Sequence, residues 1–294
     1  MSTETTETSK VVASAIQKIG HIATLPEITL KIIELVEDPN ATAQDLHKVV
    51  EYDPALCSRV LKVVNSSFYG LPGQIGSINR AIVLLGLNAV KNIAISASLA
   101  KLFRGGKLCP AFNAKDLWTH STANAATSKL LADELGLSCP DEAFLAGLMH
   151  DIGIIVEMQA DRDALTSTVS AVAGADGVPT RDMLELEREN FGADHQQFGQ
   201  ALCEKWKFPR VFGLVAGSHH NPLEVDAEVR TLPLLVHVAD KITAGFEEGG
   251  FRLDVQSTDV DDAVLEALKL TPDALTRIRE VIPEHIEEVR ALLS

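Results

Sequence analysis

Apolar residues recur every three to four positions along most of the chain, the spacing that lines one face of a helix. Ile28, Ile32, Ile33, Leu35 and Val36 form the first clear stripe, just after Leu25-Pro26. Thr42 and Asp45 stand three apart ahead of Leu46, Val49 and Val50, a capping-box spacing with Asp in place of Glu. Asp53-Pro54 supplies an N-cap and a first-turn proline for a stripe of Leu56, Val60, Leu61 and Val64. Ser77 precedes Ala81, Ile82, Leu84 and Leu85, Gly86 breaks that pattern, and a further apolar helix follows over about 88–103. Beyond residue 110 the pattern predicts helices over roughly 113–135, 140–159, 161–173, 180–191, 194–206, 209–220 and 231–246, then a final amphipathic stretch over about 258–293. No series of alternating strands interrupts them, so the fold class is all-α.

Composition divides this run of helices. Residues 1–12 are polar and rich in Thr and Glu, and are expected to form a disordered tail. The glycines, charge and proline of 104–110 mark the best internal boundary. The expected organisation is therefore a helical subdomain over 13–105, a second over 110–246 and a helical extension over 247–294. No apolar run reads as long and charge-free enough to span a bilayer, and MSTETTETSK lacks the basic and apolar segments of a signal peptide. A cytoplasmic protein with no membrane partner is expected. Cys57, Cys109, Cys139 and Cys203 are scattered without a CxxC pair, which reads as free thiols rather than a zinc ribbon or disulfide framework. The formal net charge of −15 disfavours a nucleic-acid interface, because such a surface repels phosphate backbones.

The candidate chemistry lies in the histidines and aspartates. His150-Asp151 offers an imidazole nitrogen next to a hard carboxylate oxygen, a mixture that suits Fe, Mn, Zn or Ni. Adjacent helical residues diverge by about 100°. The two can therefore share an ion only near a helix end, or if the carboxylate bridges two ions. Gly153 permits a kink or a close backbone approach there. Asp240 lies in the apolar stretch LLVHVADKI, where an unpaired carboxylate would cost several kcal/mol, so it needs a partner. His237, one turn earlier, suits packing or support of a ligand better than ligation. Taken singly, His120 is an ordinary helix histidine, His195 a first-turn residue after the N-cap Asp194, and His219-His220 a helix C-cap. Taken together, histidines and aspartates at successive helix ends point to a metal. No GxxxxGK[ST], GxSxG, HExxH or strand-borne GxGxxG competes with that reading.

The order His120, His150-Asp151, Asp240 resembles the H…HD…D pattern of the HD superfamily of metal-dependent phosphohydrolases. Within it, the Asp-Pro-Ala-Leu helix start, VNSSFYG, SINRAIVLLG, WTHS and ERENFGADHQQFGQALCEKWKFP followed by SHH are similar to the HDOD family, over about residues 20–246. The resemblance implies an HD-type multi-helix bundle preceded by a helical N-terminal subdomain, acting as a signalling or regulatory module. Many HDOD proteins have lost the metal ligands, whereas this chain keeps them. Its set is similar to the two-metal site of HD-GYP cyclic-di-GMP phosphodiesterases. That likeness implies Asp151 as the bridging, catalytic carboxylate, with His120, His150 and Asp240 on one ion and His195, His219 and His220 on the other. The chain departs from HD-GYP at Ile154, where a lysine is expected, and after His219-His220, where NPLEVDAEVR lacks Gly-Tyr-Pro.

The leading expectation is thus an HDOD regulatory protein that retains one or two divalent ions and acts through signalling partners or a small phosphorylated ligand. The alternative is a metal-dependent phosphohydrolase for a phosphate ester or nucleotide, in which two ions acidify a water and clamp phosphoryl oxygens. A metal-dependent oxygenase is a weaker third. The C-terminal amphipathic stretch, with Ile278, Val281, Ile282, Ile286, Val289 and Leu292, would pack in cis or across a homodimer.

Overall fold

Every helix cap named above is made. In the computed structural model, which describes residues 3–19, 27–38, 40–100, 102–103, 106–174, 177–246 and 249–293, Thr42 and Asp45 exchange side-chain-to-backbone bonds as a capping box. The Asp53 carboxylate accepts from the Leu56 amide and Ser77 Oγ from the Arg80 amide. Each cap satisfies an amide that the first helical turn leaves without a partner.

The helices are Thr3–Ile19 (α1), Glu27–Glu37 (α2), Ala43–Glu51 (α3), Pro54–Val64 (α4), Ile78–Leu85 (α5) and Leu87–Leu99 (α6). A two-stranded antiparallel hairpin, Lys107–Cys109 (β1) with Phe112–Asn113 (β2), follows. Then come Ala114–Glu134 (α7), Pro140–Met149 (α8), Ile152–Ala160 (α9), Arg162–Val172 (α10), Met183–Phe191 (α11), His195–Lys205 (α12), Arg210–Ser218 (α13), Thr231–Thr243 (α14), Asp262–Leu268 (α15) and Pro272–Leu293 (α16). The all-α expectation holds: that hairpin is the only sheet among the described residues.

Helices α2–α5 pack on α6 and on one another around Ile32, Leu46, Leu56, Val60 and Ile78. Helix α6 is buried on almost every side, because it also packs on α8 and so joins α2–α5 to the helices that follow. Among those later helices, α7 lies along α8, α14 and α16, and α12 along α9 and α13.

Four expectations are corrected. Residues 3–12 are helical rather than a disordered tail: Val11 packs on Gly192, and Ala15 and Ile16 are buried as α1 lies on α9 and α12. The polar Thr/Glu residues simply extend a helix whose C-terminal half carries the apolar face. The helix expected over 140–159 is two helices, broken at His150-Asp151. By length and composition Pro140–Ala160 is also apolar enough to cross a bilayer, contrary to the sequence reading, but it is mostly buried inside the protein. The stretch over 258–293 is likewise two helices, parted at Lys269, whose φ is 56°. Helix α16 packs in cis on α7 and α4, burying Ile278, Ile282, Ile286 and Val289; the side chain of Leu292 lies outside the described residues, as do Arg104 and Gly105 of the expected boundary.

Candidate metal centre

The break at His150-Asp151 is what allows neighbouring residues to converge. His150 ends α8 and Asp151 occupies the N-cap position of α9, at φ −95° and ψ 17°. Gly153 lets the start of α9 press against the start of α12: a Cβ at Gly153 would lie 1.8 Å from the His195 carbonyl oxygen. No side chain larger than hydrogen fits, so this contact brings Asp151 beside His195. The end of α13 delivers His219 and His220 to the same place, while His120 and Asp240 project from within α7 and α14.

The other six residues named from the sequence gather around Asp151, whose side chain is completely buried. On one side, Asp151 Oδ2 lies 3.2 Å from His150 Nε2 and 3.7 Å from His120 Nε2. Asp240 Oδ1 lies 3.0 Å from His120 Nε2 and 3.8 Å from His150 Nε2. On the other side, Asp151 Oδ1 lies 3.4 Å from His219 Nε2 and 3.8 Å from His195 Nε2, and His220 Nε2 is 3.1 Å from His195 Nε2. The two carboxylate oxygens of Asp151 thus face two separate groups of imidazoles.

Hydrogen bonds at the far edges of the rings fix which nitrogen points inward. His150 Nδ1 donates to the Gly147 carbonyl at 2.8 Å and His219 Nδ1 to the Val215 carbonyl at 3.2 Å. His195 Nδ1 donates to Glu187 Oε2 at 2.8 Å, and the same oxygen accepts the His195 amide at 2.9 Å. In the neutral rings each inward Nε2 therefore carries a lone pair. Bare nitrogens and carboxylate oxygens facing one another in a dry interior repel unless protons or a metal cation lie among them. Both Asp151 oxygens, Asp240 Oδ1 and His219 Nε2 have no hydrogen-bond partner although buried. Orphaned donors of this kind fit a divalent metal. The outer bonds of His150, His195 and His219 are the supports a ligating imidazole needs.

Electrostatics agree. Burial disfavours the charged form of Asp151 and Asp240, yet the surrounding imidazoles hold both carboxyls well below the usual range. Burial likewise opposes a charge on His150, but Asp151 and Asp240 lift it well above an ordinary histidine. His195 is carried up to about 10 against burial, chiefly by Glu187. His220 moves well down, through burial and then through His219 and His195.

Three supporting residues were missed in the sequence. Asp254, in the loop after α14, places Oδ2 3.5 Å from His220 Nε2 and groups with His195, His219 and His220. Its signal was the apolar company of Phe251, Leu253 and Val255, the same signal that marked Asp240. Glu187 reads in LELEREN as a solvent-facing acid but is wholly buried, and Glu157 is buried beside it. Burial first, and the charge of Glu187 second, push the Glu157 carboxyl well up. His237, assigned packing or support, donates from Nδ1 to the His219 carbonyl at 2.7 Å and thereby braces the His219-His220 turn. Ile154, at the lysine position of HD-GYP, is buried in an apolar cluster with Ile155 and Met158.

The His220 side opens onto a cavity of about 370 Å³, bordered by Asp240, Asp254, His237, Arg188, Lys241 and Glu185 among others. Both of the cations just named are engaged. Arg188 pairs with Asp194 at 2.7 Å, and Lys241 donates to the Ser257 carbonyl at 2.9 Å.

With a helical bundle and a histidine–aspartate centre in view, the class is that of an HD-type protein. The HDOD domain profile matches residues 22–222, and the chain belongs to the HDOD family. A crystal structure of an HDOD domain protein of unknown function from Geobacter sulfurreducens superposes with a TM-score of 0.72 at 24% identity, covering 97% of each chain. One from Shewanella amazonensis SB2B, provisionally named a phosphohydrolase, gives a TM-score of 0.72 at 22% identity, over 96% of this chain and 98% of that one. An uncharacterised protein of Treponema pallidum is 25% identical over 245 residues, 83% of this chain. The chain spans about half the length of that curated relative, 46%. Asp240 and Asp254 lie beyond the matched family segment.

Proposed function

We propose that this protein is an HDOD regulatory module that holds two divalent ions, one on each side of Asp151. His120, His150 and Asp240 would hold one ion, and His195, His219 and His220 the other, with Asp151 bridging them. The observation that carries this reading is the completely buried Asp151 carboxylate, whose two unpartnered oxygens face two groups of imidazoles. In this reading the ions replace protons shared among these donors and hold the helix ends together. The module would act in the cytoplasm on a signalling partner or in response to a small phosphorylated ligand.

The second reading, a phosphohydrolase, draws support from the cavity of about 370 Å³ at the His220 side. Bound ions there would acidify a water and polarise a phosphoryl oxygen. The chain's own lining does little to help an anionic substrate: Asp182 and Glu185 border the cavity, and Arg188 and Lys241 are already paired. The absence of Gly-Tyr-Pro after His219-His220 removes the likeness to cyclic-di-GMP hydrolysis at that point. The deciding experiment loads the protein with Mn or Fe and assays phosphomonoesters, nucleotides and cyclic dinucleotides. Stoichiometric metal with no turnover is expected of the regulatory module. Turnover that Asp151→Ala abolishes would overturn it in favour of the hydrolase.

A further inference from the structure

The segment after α14 runs past the second group of histidines, and its path is fixed at both ends. Gly250 has φ +82°, and a Cβ there would lie 2.5 Å from the Asp116 carbonyl oxygen and 2.9 Å from the His120 amide nitrogen. The Phe251 amide donates to that Asp116 carbonyl at 3.1 Å. The Phe251 ring stands edge-on to Phe112 and His120, with centroids 5.7 and 6.4 Å away. The strap is thus docked onto the turn of α7 that carries His120. At its other end Lys241 of α14 holds the Ser257 carbonyl.

Between these anchors Asp254 turns inward. Its side chain is 0% exposed, and neither carboxyl oxygen has a hydrogen-bond partner. The groups it faces are His220, at 3.5 Å, and the inward nitrogens of His195 and His219 in the same cluster. A carboxyl buried without a partner is costly, and here it also adds to the carboxylates of Asp151 and Asp240. One cation among these residues would turn that repulsion into attraction.

We propose that Asp254 is a ligand of the ion held by His195, His219 and His220, and that this ion fastens the strap 249–257 to the bundle. The inference rests on the metal-binding reading above. It gives the second ion a structural consequence away from the site. The strap leads on to α15 and α16, and α16 runs along α7 to reach α4 and the Ser67–Glu288 hydrogen bond. Occupancy of the second site would thereby set the order of the segment that leads on to the C-terminal helices.

The test uses the full chain, stripped with chelator and then titrated with Mn²⁺, comparing wild type with Asp254→Asn. Ion binding is followed by calorimetry and elemental analysis, and the strap by hydrogen exchange of peptides covering 249–257. Wild type is expected to bind two ions, the second slowing exchange in the strap about tenfold when the ion stands at about ten times its Kd. Asp254→Asn is expected to keep the first ion, bind the second at least about tenfold more weakly, and lose the metal-dependent protection. The metal-free variant should melt no lower than metal-free wild type, since the amide relieves repulsion; this separates lost ligation from lost folding. A variant with wild-type affinity for the second ion and unchanged strap protection would overturn the proposal. Wild type that binds no ion would overturn the metal reading itself, and this inference with it.

Discussion

The two sides of Asp151 are built differently. On the first, His120, His150 and Asp240 come from helix interiors or a helix end; both imidazoles are fully buried, and only Asp240 reaches the edge of the cavity. On the second, the donors come from two helix ends and a loop, and the His220 side chain is 14% exposed at the edge of a cavity. A more deeply buried set of donors, held mostly within helices, gives an ion less room to leave or to exchange its ligands. A half-open set on termini and a strap can gain or lose one. In a regulatory protein the first side would keep the centre assembled, while the second responds to what enters the cavity.

Asp151→Ala should have the largest effect, because it removes an oxygen from both sides. More than about a hundredfold loss of affinity for each ion is expected by calorimetry. Binding as tight as wild type would show that the carboxylate does not bridge. Next, His150→Ala and His219→Ala should each lower the stoichiometry by one ion, from opposite sides. If either variant lost both ions, the two sides would be one cooperative site and the contrast between them would fail.

Glu187→Gln should act only on the second side. Glu187 receives both the ring and the amide N–H of His195, and a neutral amide orients that ring less firmly. About tenfold weaker binding of the second ion, with the first unchanged, is the expected outcome of a competitive chelator titration.

The smallest effect is that of pH. His120, His150 and His195 are all raised above an ordinary histidine, which favours bound protons in the metal-free protein. An ion must displace them, so affinity should rise with pH, by about tenfold per unit for each proton released. His220, pushed down, is already neutral and adds nothing to that slope. Calorimetry in buffers of different ionisation heat counts the protons released; a heat independent of the buffer would contradict the assignment.

Much of the first side was legible in the sequence because its residues obey local rules. His150-Asp151 is a dipeptide, and Asp240 is a charge in an apolar helix, an anomaly visible in one dimension. His195, His219 and His220 were legible as helix-end histidines on an HDOD-like scaffold. Asp254 and Glu187 were not, for different reasons. Asp254 lies past residue 246, where the sequence suggested that the metal-bearing subdomain ends, and only the packing of Gly250 and Phe251 on α7 turns it inward. Glu187 lies in an acidic helix, and only the packing of α11 beside the start of α12 buries it. The break between α8 and α9 followed the same logic in reverse. The apolar pattern runs through 140–159 without interruption, so the helix end that allows His150 and Asp151 to converge had no hydrophobic signature of its own.

The most direct test is the metal-to-protein ratio of chain purified without chelator and loaded with Mn or Fe, measured by elemental analysis beside Asp151→Ala. Two bridged ions predict about two metal atoms per wild-type chain and close to none in the variant. A wild-type chain with only trace metal, or a variant that retains both ions, would contradict a dinuclear centre bridged by Asp151.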